Sequence, residues 1–182
     1  MKAWYPFLVG ALAVQRGREL QLSKRLERAH PGSRAAAGTF PLMVTAHVAL
    51  FVLPLLEAGL VHRRSRRPGV WLAVLAGATG LRWWSIRSLG PDWNVRASVP
   101  LDLLPVATGP YRWVRHPNYL AVILEFLALP MAGGAWVSAL GLSLLDGAVL
   151  VDRIRSEEAL LFEAPGYAQA FSGKARFIPG IF

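Results

Sequence analysis

The sequence predicts an all-α integral membrane protein with about five transmembrane helices and a polar C-terminal cap. Of its 182 residues, 54% are hydrophobic and 17% are charged, whereas an average soluble domain carries roughly 25% charged residues. A soluble globular protein of this composition would have too few polar residues to cover its surface. The apolar residues also form long uninterrupted segments, as helices in a bilayer require. The length fits one domain, residues 1–182.

Apolar segments and helix-breaking residues define the predicted elements. The first helix leaves the bilayer as an amphipathic stretch through Arg28 and breaks at Pro31. Four prolines between residues 90 and 110 exclude a long helix there. Gly133 and Gly134 permit a tight hairpin between the last two spans. The five predicted spans are 3–14, about 40–61, about 69–89, 119–132 and 135–151.

The net charge of +9 bears on partners and orientation. The basic residues cluster between apolar segments, as in the 62–68 turn, which favours membrane flanks over a nucleic-acid groove. With five spans, fourteen Lys and Arg residues lie on one side of the membrane and five on the other, with Arg82 inside a span and left unassigned. The positive-inside rule therefore places the fourteen, with the C-terminal tail, in the cytoplasm. We expect no nucleic-acid partner, and no obligate protein partner is evident.

Metal and thiol chemistry are not expected. The chain has no cysteine, which excludes disulfides, thiolate metal sites and cysteine nucleophiles. The four histidines are far apart in sequence, so none of them pairs with metal-ligand spacing.

Residues 109–119, G-P-Y-R-W-V-R-H-P-N-Y, form the most distinctive segment. Pro117 suits the first turn of the following helix. Aromatic residues and arginines at headgroup level would explain any two of these positions as an interfacial anchor. Seven polar or aromatic groups in eleven positions instead favour a binding site. His116, beside a helix N-terminus, is well placed to bind an anion. The candidate residues are Tyr111, Arg112, Trp113, Arg115, His116, Asn118 and Tyr119.

A second charged cluster follows the last apolar segment. Arg153 and Glu157 are four residues apart, and Arg155 and Glu158 are three apart. On a helix both spacings allow ion pairs, so a solvated helix end with surface salt bridges competes with a functional site.

Three acidic residues lie inside the predicted spans: Glu57, Glu125 and Asp146. An ionisable group within a membrane segment is by default a functional-site hypothesis. Glu125 and Asp146 lie on the two arms of the hairpin, and each either faces a polar cavity or pairs with Arg82 or Arg87.

The order of these motifs resembles the isoprenylcysteine carboxyl methyltransferase family and, more distantly, the membrane phospholipid N-methyltransferases. The resemblance rests on the 109–119 element, the hairpin, R-x-x-x-E-E at residues 153–158 and a tail closing on F-I-P. It covers residues 108–182, the predicted cofactor-binding part, while residues 1–107 resemble the family only as generic membrane helices. It implies an integral membrane methyltransferase that uses S-adenosylmethionine at a cytosolic C-terminal site and takes a lipid substrate from the bilayer.

The resemblance also implies roles for individual residues. His116, Tyr119, Glu157 and Glu158 would contact the cofactor, and the tail would cover it with Tyr167 and Phe171. The chemistry agrees, because histidine and arginine suit the cofactor carboxylate, glutamates its ammonium or ribose, and aromatic rings its adenine and sulfonium. The expected cofactor-binding residues are Tyr111, Arg115, His116, Tyr119, Glu157, Glu158 and Tyr167.

The catalytic expectation centres on Arg153, which the family's arginine position places near methyl transfer. We expect Arg153 to hold or polarise the acceptor oxygen and Asn94 to position it. The composition looks bacterial, and residues 81–94 resemble short bacterial members associated with O-methylation of alkylpyrones and alkylresorcinols. The predicted acceptor is thus a hydroxyl or carboxyl oxygen on a polyketide lipid or prenylcysteine, at a bacterial inner membrane. The alternatives are a phospholipid N-methyltransferase and a non-enzymatic membrane carrier or assembly subunit.

Overall fold

The structure, a computed structural model, describes residues 3–29, 32–34, 37–62, 64–100 and 104–180. The predicted helix break at Pro31 and the Arg63 position of the basic turn lie outside these ranges. The six α-helices in the described part are α1 (Trp4–Ala29), α2 (Phe40–Leu60), α3 (Pro68–Leu89), α4 (Pro117–Gly133), α5 (Trp136–Glu163) and α6 (Tyr167–Phe171).

The all-α prediction is confirmed apart from one small antiparallel ribbon. Its strands are β1 (Gly32–Arg34) and β2 (Ser98–Pro100), with Gly32 opposite Pro100. Three short 3-10 turns lie at Ala37–Thr39, Gly90–Asp92 and Gly109–Arg112. As predicted, the proline-rich stretch between α3 and α4 holds no α-helix in its described residues.

The α4–α5 hairpin is confirmed, and a close packing contact fixes its position. Gly134 ends α4 in the left-handed conformation with φ of 85°. The preceding Gly133 faces the ring of Tyr5, so an added Cβ would lie only 2.3 Å from that ring. The Tyr5 hydroxyl donates to the Leu129 carbonyl at 3.0 Å. The first turn of α1 is therefore fitted against the last turns of α4.

The core is a helical bundle in which α4 packs against α3 and α5, and α2 packs against α5. Its centre combines small and large apolar side chains, so that the helices approach closely: Tyr5, Ala46, Leu50, Val122, Phe126, Ala128, Leu129 and Leu142. Outward-facing apolar residues on α2 and α5 stay exposed, including Val48, Leu56, Leu60, Leu140 and Leu144. Such surfaces suit contact with lipid.

The count of five membrane spans stays a prediction. Among the described helices, α2 is long and apolar enough to cross a bilayer when judged by length and composition. Helix α4 is apolar but has 17 residues. Helix α5 has 28 residues, and its C-terminal part carries the charged cluster that follows the predicted span.

A charged network links α1, α3 and α4 inside the bundle. Arg16 pairs with both Glu19 and Glu125. Arg82 donates to Glu19 at 2.8 Å and to the Asn118 side chain at 3.2 Å. The suggested pairing of Glu125 with Arg82 or Arg87 is therefore wrong, because Arg16 of α1 reaches Glu125 instead. Each buried charge in this network has an opposite charge beside it, as low-dielectric surroundings require.

Glu57 caps a helix rather than lining a cavity. Its carboxylate accepts hydrogen bonds from the backbone N–H groups of Val137 and Ser138 and from the Ser138 hydroxyl, at 3.1, 2.7 and 2.7 Å. These N–H groups belong to the first turn of α5 and would otherwise lack partners. The default functional hypothesis for Glu57 gives way to a structural role, since α2 supplies the cap for α5.

Candidate functional site

The 109–119 segment is fixed against α3 before it enters α4. Gly109 has φ of 57°, a conformation that suits glycine. A Cβ at Gly109 would also lie 2.1 Å from the Ser88 hydroxyl of α3. After the 3-10 turn, Pro117 starts α4 and His116 occupies the N-cap position. The turn therefore delivers Tyr111 and His116 to one side of the bundle.

The tail runs alongside this segment and holds it in place. The backbone N–H groups of Arg115 and His116 donate to the carbonyls of Ala175 and Arg176, each at 2.9 Å. Lys174 donates to the Tyr111 carbonyl, also at 2.9 Å. Residues more than 55 positions apart in sequence thus form one polar cap.

Glu158 is the electrostatic centre of that cap. Its carboxylate lies 3.0 Å from His116 Nε2, 2.7 Å from Arg176 Nη2 and 3.4 Å from Arg115 Nε. Burial by itself raises the pKa of Glu158, but the hydrogen bonds from His116 and Arg176 outweigh burial and lower it to about 2. The predicted pairing of Glu158 with Arg155 is replaced by pairing with these three residues, which come from other elements.

Glu157, the neighbouring acidic residue, faces a different environment. It accepts a hydrogen bond from the Tyr119 hydroxyl, a short contact between α4 and α5. Glu157 and Tyr119 both line a cavity beneath the polar cap, whereas Glu158 lies outside its lining. The two glutamates of the E-E pair therefore differ in position: one faces the cavity and the other organises the cap.

The cavity gathers eight of the nine residues that we expected to bind the cofactor or to take part in catalysis. They come from the α3–α4 connection, α4, α5 and α6, and they are Asn94, Tyr111, Arg115, His116, Tyr119, Arg153, Glu157 and Tyr167. Phe171 also lines it, and stacks on Tyr167 with ring centroids 4.5 Å apart. Burial raises the pKa of Tyr111 and Tyr167, and the nearby Glu157 charge adds to the effect, so both phenols stay neutral.

Arg153 is buried in the cavity wall, with 2% of its surface exposed. Its Nη2 donates to the Val95 carbonyl at 2.8 Å, while Nε and Nη1 have no hydrogen-bond partner. A buried guanidinium with two unused N–H positions favours binding of an additional electron-rich atom. The same arginine therefore anchors the 92–97 loop and leaves donors available to the cavity.

Asn94 lies in that loop, close to where Arg153 holds it. Its side-chain amide donates to the Asp92 carbonyl at 3.2 Å. The next residue, Val95, donates its backbone N–H to the Ser23 hydroxyl of α1 at 2.9 Å. Contacts from α1 and α5 thus both fix the loop at Val95.

The cavity also contains Asp146, which the sequence had offered as a functional-site hypothesis, and two residues that sequence reasoning did not assign to the site, His47 and Trp93. The Trp93 Nε1 and Asp146 Oδ1 atoms are buried without hydrogen-bond partners. His47 contacts the Met43 carbonyl through Nδ1 at 2.9 Å. The signal for Asp146 was its acidic side chain in an apolar segment, whereas Trp93 and His47 gave no comparable signal.

Comparisons with known proteins match most of the chain. The family model for isoprenylcysteine carboxyl methyltransferase matches residues 70–163, from α3 to the end of α5. The match thus includes α3 and the following connection, which precede the 108–182 part that carries the main resemblance, and it omits the tail. An uncharacterized protein of Bacillus subtilis (strain 168), YpbQ, is 31% identical over 163 residues, which are 86% of this chain and 95% of that protein.

Proposed function

The chain belongs to the isoprenylcysteine carboxyl methyltransferase family, and from that premise we propose that it is a membrane-embedded, S-adenosylmethionine-dependent O-methyltransferase with a lipophilic acceptor. The observation that carries the proposal is the cavity that unites Tyr111 and His116 of the 109–119 segment with Arg153 and Glu157 of α5. These residues present a guanidinium, an imidazole, a carboxylate and an aromatic face to one cavity.

The cavity residues fit the chemistry of S-adenosylmethionine, which supplies an electrophilic methyl group on sulfur when bound. The Glu157 carboxylate suits the cofactor ammonium or ribose hydroxyls. Arg115, whose Nε has no hydrogen-bond partner, suits the cofactor carboxylate together with His116. The rings of Tyr111 and Tyr167 suit the adenine. Glu158 acts from behind the cavity, as a positioning residue that orients His116.

The acceptor reaches the cavity from the bilayer side in this proposal. The free N–H groups of Arg153 would hold its oxygen, and Asn94 would position it across the cavity mouth. The cavity wall continues into apolar residues of the bundle, including Met43, Val122 and Leu150, which suit a hydrocarbon chain. The acceptor classes that fit are a hydroxylated polyketide lipid, such as an alkylpyrone or alkylresorcinol, and a prenylcysteine carboxylate.

Cofactor binding tests the proposal directly. Calorimetry with S-adenosylhomocysteine on the detergent-solubilised protein should give saturable binding. Glu157→Gln should weaken that affinity by roughly 10- to 100-fold, the loss expected for one charge-assisted hydrogen bond. Glu163→Gln is the matched control, because Glu163 is an exposed residue near the end of the same helix. Absence of binding at high micromolar concentration would overturn every methyltransferase assignment and favour a carrier or assembly role.

Product chemistry separates the O-methyltransferase from a phospholipid N-methyltransferase. The protein would be incubated with methyl-labelled cofactor and, in parallel, a long-chain alkylphenol, a farnesylcysteine derivative and phosphatidylethanolamine vesicles. We expect label on oxygen in one of the first two. Label on the phosphatidylethanolamine nitrogen would replace the proposal with the N-methyltransferase alternative.

The proposed location is the bacterial inner membrane, with the cavity open to the cytoplasm where the cofactor is made. Because the chain has no cysteine, single cysteines report topology cleanly. We expect a cysteine at Ser172, beside the polar cap, to be shielded from membrane-impermeant thiol reagents in intact cells. One at Arg66, in the basic turn before α3, should react. The reverse pattern would invert the orientation.

A further inference from the structure

Asp146 is a buried carboxylate whose contacts leave it without a structural role. It lies on α5 and lines the cavity with 2% of its surface exposed. Its Oδ1 atom has no hydrogen-bond partner. A buried charged oxygen without a hydrogen-bond partner lowers the stability of the folded protein. Such an atom is explained when a bound ligand supplies the missing hydrogen bond.

The other two membrane-embedded acids show what a structural role looks like in this fold. Glu57 accepts three hydrogen bonds at the start of α5, and Glu125 pairs with Arg16. Both carboxylates therefore hold helices together. Glu125 also has one buried oxygen without a hydrogen-bond partner, Oε1, but it lies outside the cavity lining. Asp146 differs from both because it lines the cavity that the site residues share.

The position of Asp146 relative to Arg153 defines a small acceptor subsite. The two residues are seven positions apart on α5, which puts them on nearly the same face, two turns and about 10 Å apart along the axis. Arg153 has two unused donor positions, and Asp146 has an unused acceptor. A group placed between them would need to accept a hydrogen bond on one side and donate one on the other, as a hydroxyl does.

We propose that Asp146 accepts the proton of an acceptor hydroxyl while the free N–H groups of Arg153 hold the same oxygen. This inference rests on the proposed methyltransferase function. The O–H bond breaks as its proton passes to the Asp146 carboxylate, and the oxygen electron pair forms the new O–CH₃ bond. The methyl–sulfur bond breaks with its electron pair remaining on sulfur, which becomes a neutral thioether. Asp146 then releases the proton to water as the product leaves.

The arrangement distinguishes between the two acceptor classes. A carboxylate acceptor has no proton to transfer and would bring a second negative charge beside Asp146, with Arg153 to neutralise only one of the two. A phenolic or enolic hydroxyl matches both partners. The subsite therefore favours the hydroxylated polyketide lipid over the prenylcysteine carboxylate.

Other charged or titratable groups also face the cavity from each element around Asp146. They are His47 of α2, Arg82 of α3, Asp92 of the connecting loop, Tyr111, Arg115, His116 and Tyr119 of the 109–119 segment, Arg153 and Glu157 of α5, and Tyr167 of α6. His47 is the rival proton acceptor among them, since it lines the same cavity from the opposite helix.

The first test compares Asp146→Asn with two acceptors of different acidity. One is a long-chain alkylphenol, neutral at pH 7, and the other is its dinitro-substituted analogue, which is ionised at that pH. With the neutral phenol we expect Asp146→Asn to lower kcat by about 100-fold or more, the usual contribution of a general base. With the ionised analogue the loss should be at most a few-fold. Asp152→Asn, an exposed acid on another face of α5, should match the wild type with both.

The second test needs neither turnover nor cofactor. The dinitrophenol absorbs visible light only as phenolate, so its ionisation can be followed while bound. Removing the Asp146 charge should stabilise the bound phenolate and lower the apparent pKa of the bound probe relative to the wild type. Asp152→Asn should leave it unchanged. An identical titration of the bound probe in the wild type and Asp146→Asn would place Asp146 away from the acceptor and overturn the proposal.

A third measurement keeps the proposal testable if Asp146→Asn fails to fold. In the wild type, kcat/KM for the neutral phenol should fall at acidic pH as the base takes up a proton. With the ionised analogue, the rate should stay constant over the pH range in which that analogue remains ionised. Loss of the acidic fall with the neutral phenol in His47→Gln would assign the proton to His47 instead. If either result contradicts the proposal while S-adenosylhomocysteine still binds normally, the methyltransferase function stands and only the role of Asp146 is rejected.

Discussion

Replacing Glu158 with glutamine should loosen the polar cap by an amount that depends on pH. The substitution keeps the shape of the side chain and removes the charge that lies within 3.4 Å of Arg115, His116 and Arg176. Folding lowers the pKa of Glu158 from 4.5 to about 2, since the hydrogen bonds of His116 and Arg176 outweigh burial. At about 1.4 kcal/mol per pKa unit this corresponds to about 3 kcal/mol, and solvent screening at the partly exposed Arg176 lowers the expected value toward about 2 kcal/mol.

The sign of the pH dependence follows from the direction of the pKa change. Because the folded protein binds the proton less readily than the unfolded chain, the Glu158 charge stabilises the fold fully above pH 4.5. That stabilisation disappears as the pH falls from 4.5 toward 2, where the folded carboxyl itself becomes protonated. The stability difference between wild type and Glu158→Gln should therefore be largest at neutral pH and shrink to near zero at pH 2.

Thermal unfolding in detergent, followed by circular dichroism at several pH values, measures this difference. Glu163→Gln, near the end of α5, controls for the loss of a negative charge on the same helix. Equal melting temperatures for the two variants at pH 7 would refute the electrostatic role of Glu158. A difference that persists unchanged at pH 2 would show that packing, and not charge, accounts for the effect.

Three further substitutions probe separate features of the fold and site. Glu57→Gln should lower the free energy of unfolding by about 1 kcal/mol, because α5 loses a charged cap, as measured by thermal unfolding. Gly133→Ala should be more destabilising in the same assay, because its Cβ would overlap a tyrosine ring of α1 at 2.3 Å; a melting temperature equal to wild type would contradict that packing. Arg153→Ala should abolish turnover and leave S-adenosylhomocysteine affinity within a few-fold in calorimetry; parallel loss of both would move Arg153 into the cofactor site.

Local sequence signals predicted the elements well because short-range chemistry determines them. Pro117 marks the start of α4, and the pair Gly133 and Gly134 marks its end. The hairpin and the length of α2 follow from apolar segments of the right size. Helix α5 continues beyond the predicted span of 135–151, through the charged cluster, to Glu163. The residues of the cavity could be selected because polar and aromatic groups were concentrated in two short motifs.

Sequence spacing was a poor guide to charge pairing, because helix neighbours compete with distant partners. Glu158 pairs with Arg115 and Arg176, which lie 43 and 18 positions away in the sequence, in place of the arginine three residues before it. Glu125 likewise pairs with a residue of α1. Such contacts depend on how the helices pack, and the unsatisfied oxygen of Asp146 emerges only when all its neighbours are in place.

The pairing of residues 175–176 with residues 114–116 has a consequence for biosynthesis. The ribosome makes the chain from its N-terminus, so all six helices are synthesised before Arg176 emerges to meet Glu158. The helices of the bundle can therefore pack while the two segments of the polar cap are still apart. The cap can form only after its C-terminal segment has been synthesised, so the site beneath it is completed late in assembly.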